Sequence, residues 1–124
     1  MIEAVKSDNA PAAIGPYSQA IKAGGFVFTS GQIPINPLDG SVLPSIDDQA
    51  KQAFDNLKSV LEAAGSGLSK VVKTTLFIKN MSDFAIINSI YADYFCEPFP
   101  ARSCVEVASL PKGVLVEVEA TALQ

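Results

Sequence analysis

The chain has no histidine and no tryptophan among its 124 residues, and only two cysteines. Without histidine, a Ser-His-Asp triad, a Cys-His dyad and a conventional zinc site are all excluded. Cys96 and Cys104 stand at neither a zinc spacing nor a redox Cys-x-x-Cys spacing. Sparse cysteine predicts a reducing compartment, hence a cytoplasmic protein. No window approaches the roughly 18–20 apolar residues of a membrane span. The opening Met-Ile-Glu-Ala-Val-Lys lacks the charged lead and apolar core of a secretory signal. Nor is there a basic cluster. The nine Lys and Arg are never adjacent, the net charge is −4 and the pI is about 4.6. Phosphate backbones are gripped by clustered Lys and Arg, so this distribution argues against nucleic acid as a partner.

What is present is apolar content: 48% hydrophobic residues and a mean hydropathy of +0.28. Residues 1–124 are expected to form one domain of ordinary size. Chains this short bury only about two-thirds of their unfolded surface. The apolar excess therefore either packs one good core or leaves an oligomer interface.

Residues 2–6 are a strand candidate, and Ser7 to Pro16 reads as loop. Gln19–Ala23 and Phe26–Ser30 flank Gly24-Gly25, a hairpin signal. Ala50, Ala53, Phe54, Leu57, Val60, Leu61 and Ala64 recur at helical spacing, with Ser45 or Asp47 as cap and Gly65 as terminator. Val71–Ile78 is too apolar for simple alternation and predicts a central strand. A second helix is expected from a Ser82 or Asp83 cap. Its stripe is Phe84, Ile87, Tyr91 and Tyr94 or Phe95, widened by Ile86 and Ile90, and Pro98 and Pro100 end it. Strands near 102–108 and 114–122 close the chain, and taken alone they suggest a hairpin across Leu110–Gly113. The order β-β-β-α-β-α-β-β is an α+β pattern with the helices on one face of a sheet.

The last two strands carry the most informative charges. Val105 and Val107 share one parity; Arg102, Cys104 and Glu106 share the other. Val116, Val118, Ala120 and Ala122 oppose Leu115, Glu117, Glu119 and Thr121. Either the sheet has one solvated side, or Arg102 and an acid line a cleft. A guanidinium grips a carboxylate through two parallel hydrogen bonds, so Arg102 is a candidate anchor. The alternative is a structural salt bridge to Glu117 or Glu119. Cys104 has no His or Lys beside it to activate a thiolate and reads first as a small core residue. Tyr17 follows Gly15-Pro16, where a loop could hold its hydroxyl over a pocket, or leave it a surface tyrosine. Asn88 could reach a ligand from the second helix, or be a surface amide. Ser30 could do so from a strand end, or bond the backbone as a turn hydroxyl.

Pro100-Ala-Arg-Ser-Cys-Val-Glu-Val-Ala-Ser-Leu-Pro111, followed by Val116-Glu117-Val118, resembles the signature of the RidA (YjgF) family of enamine/imine deaminases. Asn9-Ala-Pro-Ala-Ala-Ile-Gly-Pro-Tyr17-Ser, Thr29-Ser-Gly-Gln-Ile-Pro34 and Val72-Lys-Thr-Thr extend the likeness along the whole chain. Phe95-Cys-Glu-Pro-Phe-Pro100 is shorter than the family pattern. The resemblance implies a chorismate-mutase-like fold: a six-stranded mixed sheet with two helices on one face, assembled as a homotrimer with sites at subunit interfaces. It also implies a strand between the last two, against the simple hairpin.

The implied reaction is hydrolysis of short 2-imino and enamine acids, 2-aminoacrylate and 2-iminobutanoate, to 2-keto acids and ammonia, without metal or cofactor. Arg102 matches the arginine that binds the substrate carboxylate, and Glu117 the acid that positions or activates water. Cys104 matches a backbone contact to substrate, and Tyr17, Ser30 and Asn88 match pocket positions. Two other functions stand beside this one: a non-catalytic binding module for small carboxylates such as 2-keto acids, and an endoribonuclease or translation inhibitor. Isomerase activity follows from fold analogy alone, and fold is not function.

Overall fold

The computed structural model describes all 124 residues. Six strands form one mixed sheet: β1 (Glu3–Val5), β2 (Ala20–Ala23), β3 (Phe26–Thr29), β4 (Val71–Ile78), β5 (Ala101–Glu106) and β6 (Val116–Leu123). Their spatial order is β1-β2-β3-β6-β4-β5. Two helices, α1 (Ile46–Ala63) and α2 (Phe84–Tyr94), cover one face. This is the α+β architecture the sequence predicts. β4 lies between β5 and β6, pairing parallel with β5 and antiparallel with β6. The simple hairpin of the last two strands is therefore not formed. A 3-10 turn at Pro111–Gly113 instead carries the chain across β4, whose two edges need partners and whose Leu76 and Ile78 are fully buried.

Local chemistry explains most boundaries. Gly24 and Gly25 take positive φ, 60° and 82°, the conformation a two-residue hairpin requires. Ser45, not Asp47, caps α1: its Oγ accepts from the Asp48 amide at 3.1 Å. Asp47 and Asp48 in the first turn suit the helix dipole. At the other end Gly65, at φ 77°, lets its own amide reach Glu62 O and that of Ser66 reach Leu61 O. Phe54, Leu57 and Leu61 from α1 are fully buried, each contributing roughly 1.5–3 kcal/mol of hydrophobic stabilisation.

The second helix departs from expectation at two points. Neither Ser82 nor Asp83 caps it by side chain, because a 3-10 turn at Met81–Asp83 runs straight into α2 and Asp83 is already helical. The Met81 amide is satisfied by Glu106 at the end of the neighbouring strand β5, at 2.7 Å. Ile86 does not widen the buried stripe; it faces outward, and Ile87, Ile90 and Tyr91 do the packing.

The helix-free face of the sheet is not simply solvated. Phe26 and Phe28 of β3, Val105 of β5 and Leu123 of β6 all stand exposed. On β5 the apolar parity points to this open face, while Arg102, Cys104 and Glu106 point to the helix side, through their register with Thr74, Leu76 and Ile78. On β6 the division is as expected: Val116, Val118, Ala120 and Ala122 are buried, and Glu117, Glu119 and Thr121 face outward. No helix is long and apolar enough to cross a membrane.

Candidate active site

Arg102 leaves β5 on the helix side at the sheet edge. Its Nη1 donates to Asn88 Oδ1 of α2 at 2.7 Å. Its guanidinium carbon lies 4.8 Å from the centre of the Tyr91 ring and 5.3 Å from that of Phe84. A cation held over aromatic faces is oriented as well as attracted. No carboxylate meets Arg102; the one ion pair of the chain is Lys22–Glu3, at 2.8 Å. The salt bridge to Glu117 or Glu119 does not form. One of five N–H donors is used, which leaves the fork free for an incoming acceptor. Beside it opens a cavity of about 390 Å³, lined by Asn88, Tyr91, Ala92, Phe99, Pro100 and Arg102.

Cys104 is half-buried against the core, two residues along the same face. Burial raises its thiol above the usual range, and the Arg102 charge opposes this only in part. It is a poor candidate for a thiolate nucleophile.

Glu117 projects from β6 to the opposite face. From the Arg102 level it lies three residues along and two strands across. That is about 14 Å within the sheet, at ~3.3 Å per residue and ~4.8 Å per strand. One chain thus separates its two best candidates. Glu117 instead meets the segment after β3. Gln32 exchanges backbone hydrogen bonds with Val118, at 2.7 and 3.1 Å, which brings Gly31 against the Glu117 side chain. A Cβ on Gly31 would fall 2.7 Å from the Glu117 carboxyl carbon, so only glycine leaves that carboxylate where it is. Burial lifts the Glu117 carboxyl above its ordinary value, and the neighbouring Glu119 pushes the same way. A carboxylate so disposed has a proton affinity suited to general-base work.

Tyr17 is exposed and shares a cavity of about 210 Å³ with Gly31, Ile14, Ile33, Pro111 and Lys112. Gln19 anchors the loop before it, accepting from the Ser7 amide at 2.7 Å and donating to Pro11 O at 2.8 Å. Ser30 Oγ donates to Ser18 O at 2.6 Å, so here it acts as a turn hydroxyl, next to Gly31. Two side-chain amides on α1 hold the surrounding loops. Asn56 donates to Ile33 O and Ile35 O, at 3.0 and 2.9 Å. Gln49 bridges Leu43 O and the Leu115 amide, at 2.9 and 2.8 Å.

The candidates therefore sort into two half-sites. Arg102, Asn88 and Cys104 lie at the helix-side edge of β5; Tyr17, Ser30 and Glu117 lie around Gly31, with Glu117 on the open face. Three contributors escape a reading by residue type alone. Gly31 reads as a turn, Tyr91 and Phe84 as core stripe. The usable signal for Tyr91 is a hydroxyl within a helical apolar stripe, since a buried hydroxyl needs a partner.

The fold is thus a small α+β domain that presents an unpaired arginine on one face of its sheet and a carboxyl raised by burial on the other. The chain belongs to the RidA/YjgF family: residues 7–124 match the family model described as Endoribonuclease L-PSP. It is 50% identical over 127 residues to the 2-iminobutanoate/2-iminopropanoate deaminase of Escherichia coli K12, covering 100% of this chain and 99% of that one. A Rid-family protein of Yersinia pestis superposes with a TM-score of 0.97 at 49% identity, with 100% of both chains covered. E. coli TdcF with bound serine superposes with a TM-score of 0.94 at 43% identity, with 98% of both covered.

Proposed function

We propose that the chain is a hydrolytic deaminase of short 2-imino acids, chiefly 2-iminobutanoate and 2-iminopropanoate, the latter reached from 2-aminoacrylate by tautomerisation. The observation that carries this reading is the Arg102 fork, stacked over Tyr91 and Phe84 and free of any carboxylate partner. Arg102 takes the substrate carboxylate through paired hydrogen bonds, and Asn88 fixes one side of the fork. Glu117 accepts a proton from water as the water oxygen bonds to the imine carbon. The proton passes to nitrogen, giving an adduct with a hydroxyl and an amino group on one carbon. The hydroxyl proton then moves by way of Glu117 to the amino nitrogen as the carbon–oxygen double bond forms and the carbon–nitrogen bond breaks, and ammonia and the 2-keto acid leave. General acid–base assistance of this kind supplies about 10²–10⁴-fold. The imine is already reactive in water, so this is enough.

Because Arg102 and Glu117 face opposite ways in one chain, the working site takes Arg102 from one copy and Glu117 from its neighbour. The exposed Phe26, Phe28 and Val105 on the open face give the copies an apolar surface to share. A homotrimer with three interface sites, in the cytoplasm and without cofactor, is the form proposed. Tyr17 and Ser30 line the Glu117 side, and the Cys104 backbone the Arg102 side.

The test couples a threonine or serine dehydratase to this protein and traps escaping imine with semicarbazide. Wild type should cut the trapped fraction and Arg102→Ala should not; equal trapping with and without folded wild type would overturn the reading. The serine bound by TdcF favours a second reading, a non-catalytic binder of small carboxylates. That reading needs Arg102 but not Glu117, so Glu117→Gln would then lose nothing. The ribonuclease reading suits the family description, but the scattered basic residues oppose it. RNA binding that weakens steeply with salt would be its mark.

A further inference from the structure

Behind Arg102 lies a buried hydroxyl pair that the reaction does not use. Thr74 of β4 is fully buried, and Tyr91 is only 5% exposed. Their side-chain oxygens are 2.8 Å apart. Thr74 is the register partner of Arg102 across the parallel β4–β5 pair, so both side chains leave the sheet on one face side by side. The Tyr91 ring sits over Thr74 and beneath the guanidinium. It is stacked on Phe95 at 4.4 Å and met edge-on by Phe54 at 5.7 Å. These aromatic contacts hold the plane of the ring, and the hydroxyl bond to Thr74 is the directional contact that pins its far end within that plane. A Val–Phe pair would pack the same space with no polar group to satisfy, so stability alone does not call for the two hydroxyls.

We propose that Thr74 is a positioning residue: through the Tyr91 hydroxyl it sets the ring on which the Arg102 guanidinium rests, and so the aim of the fork at the substrate carboxylate. The inference rests on the deaminase reading and deepens it, adding a residue that never touches substrate. Thr74 acts on carboxylate capture and not on the water step, since its one link to the site runs through Tyr91 to Arg102, and the Glu117 that completes this site comes from the neighbouring copy. Its loss should therefore appear in KM and in the affinity for a carboxylate product, with kcat nearly unchanged.

The experiment compares Thr74→Val, Thr74→Ser and the double variant Thr74→Val/Tyr91→Phe. It measures kcat and KM in the dehydratase-coupled assay, 2-oxobutanoate affinity by calorimetry, and stability by denaturant. Thr74→Val should raise KM and the 2-oxobutanoate Kd about three- to tenfold, the range a neutral hydrogen bond commands, and lose stability by leaving the Tyr91 hydroxyl unpaired. Thr74→Ser should restore both. The double variant decides the matter: it should recover stability, having no orphaned hydroxyl, while KM and Kd stay raised. Recovery of KM together with stability, or a Thr74→Val protein with wild-type KM and Kd, would overturn the proposal. Should Thr74→Val fail to fold, the serine and double variants carry the same decision. Wild type that binds 2-oxobutanoate without turning over imine would end the deaminase reading, and the Kd series would still test Thr74.

Discussion

Replacing Gly31 with alanine separates catalysis from folding at a single methyl group. The new Cβ would lie 2.7 Å from the Glu117 carboxyl carbon and 3.1 Å from its Cγ. Carbon atoms prefer roughly 3.5–4.0 Å, so the carboxylate must retreat by about 1 Å. It can do so, because the obstacle is the end of a half-buried side chain. The backbone accepts alanine as well: Gly31 is not among the glycines with positive φ. Gly→Ala at a compatible site gains about 0.4–1 kcal/mol through the unfolded state, which offsets the displacement, so the thermal midpoint should stay near wild type. Turnover should not. A misplacement of about 1 Å in a catalytic group costs roughly 10²-fold, and kcat should fall by that order. KM should hold, since Arg102 is untouched. The assay is the dehydratase-coupled trap with Glu117→Gln alongside as the floor. Gly31→Ala turnover within twofold of wild type would refute the placement of the Glu117 carboxylate as a cause of rate. An equal rise in KM would move Gly31 to the binding side.

Arg102→Lys keeps the charge and loses the fork, so kcat/KM should fall about 10- to 100-fold with the fold intact; a near-wild-type value would show that a point charge suffices. Burial and the neighbouring Glu119 hold the Glu117 carboxyl of the chain above the ordinary glutamate value of 4.5. The same shift sets a stability slope. The folded state binds the proton that the unfolded state has already released, so stability falls as pH rises upward from about 4.5, and Glu117→Gln should flatten that fall in pH-resolved melts. Asn56→Leu leaves the Ile33 and Ile35 carbonyls without their donor and should cost about 2–4 kcal/mol in denaturant unfolding. A change below about 0.5 kcal/mol there would show that water replaces the amide fully.

The elements were legible because each has a local cause. The Ser45 cap, the Gly65 terminator and the Gly24-Gly25 turn act within a few residues of themselves, and the α1 stripe repeats long enough to be unambiguous. The position of β4 between β5 and β6 was not local. Strand order depends on which edge each strand finds, and only the family resemblance anticipated it. The α2 entry failed as a capping prediction because the satisfying acceptor, Glu106, is 25 residues away on another element. Arg102 and Glu117 were both visible as charges in apolar strands. Their faces were not, because parity within a strand does not say which side the helices take. On β5 the apolar side chain Val105 turned out to face away from the core. Tyr91 hid in the core stripe because its partners, Thr74 and Arg102, come from two other strands.

The claim that the site is built between copies has one direct measurement. Arg102→Ala and Glu117→Gln chains, each inactive alone, are unfolded together, refolded as mixed assemblies and assayed for imine hydrolysis. In any cyclic assembly, a site that draws Arg102 from one copy and Glu117 from the next is intact at about a quarter of random junctions, so the mixture should regain about a quarter of wild-type turnover. A mixture that exchanges subunits and stays inactive would mean that both residues must come from one chain, and would contradict the divided site.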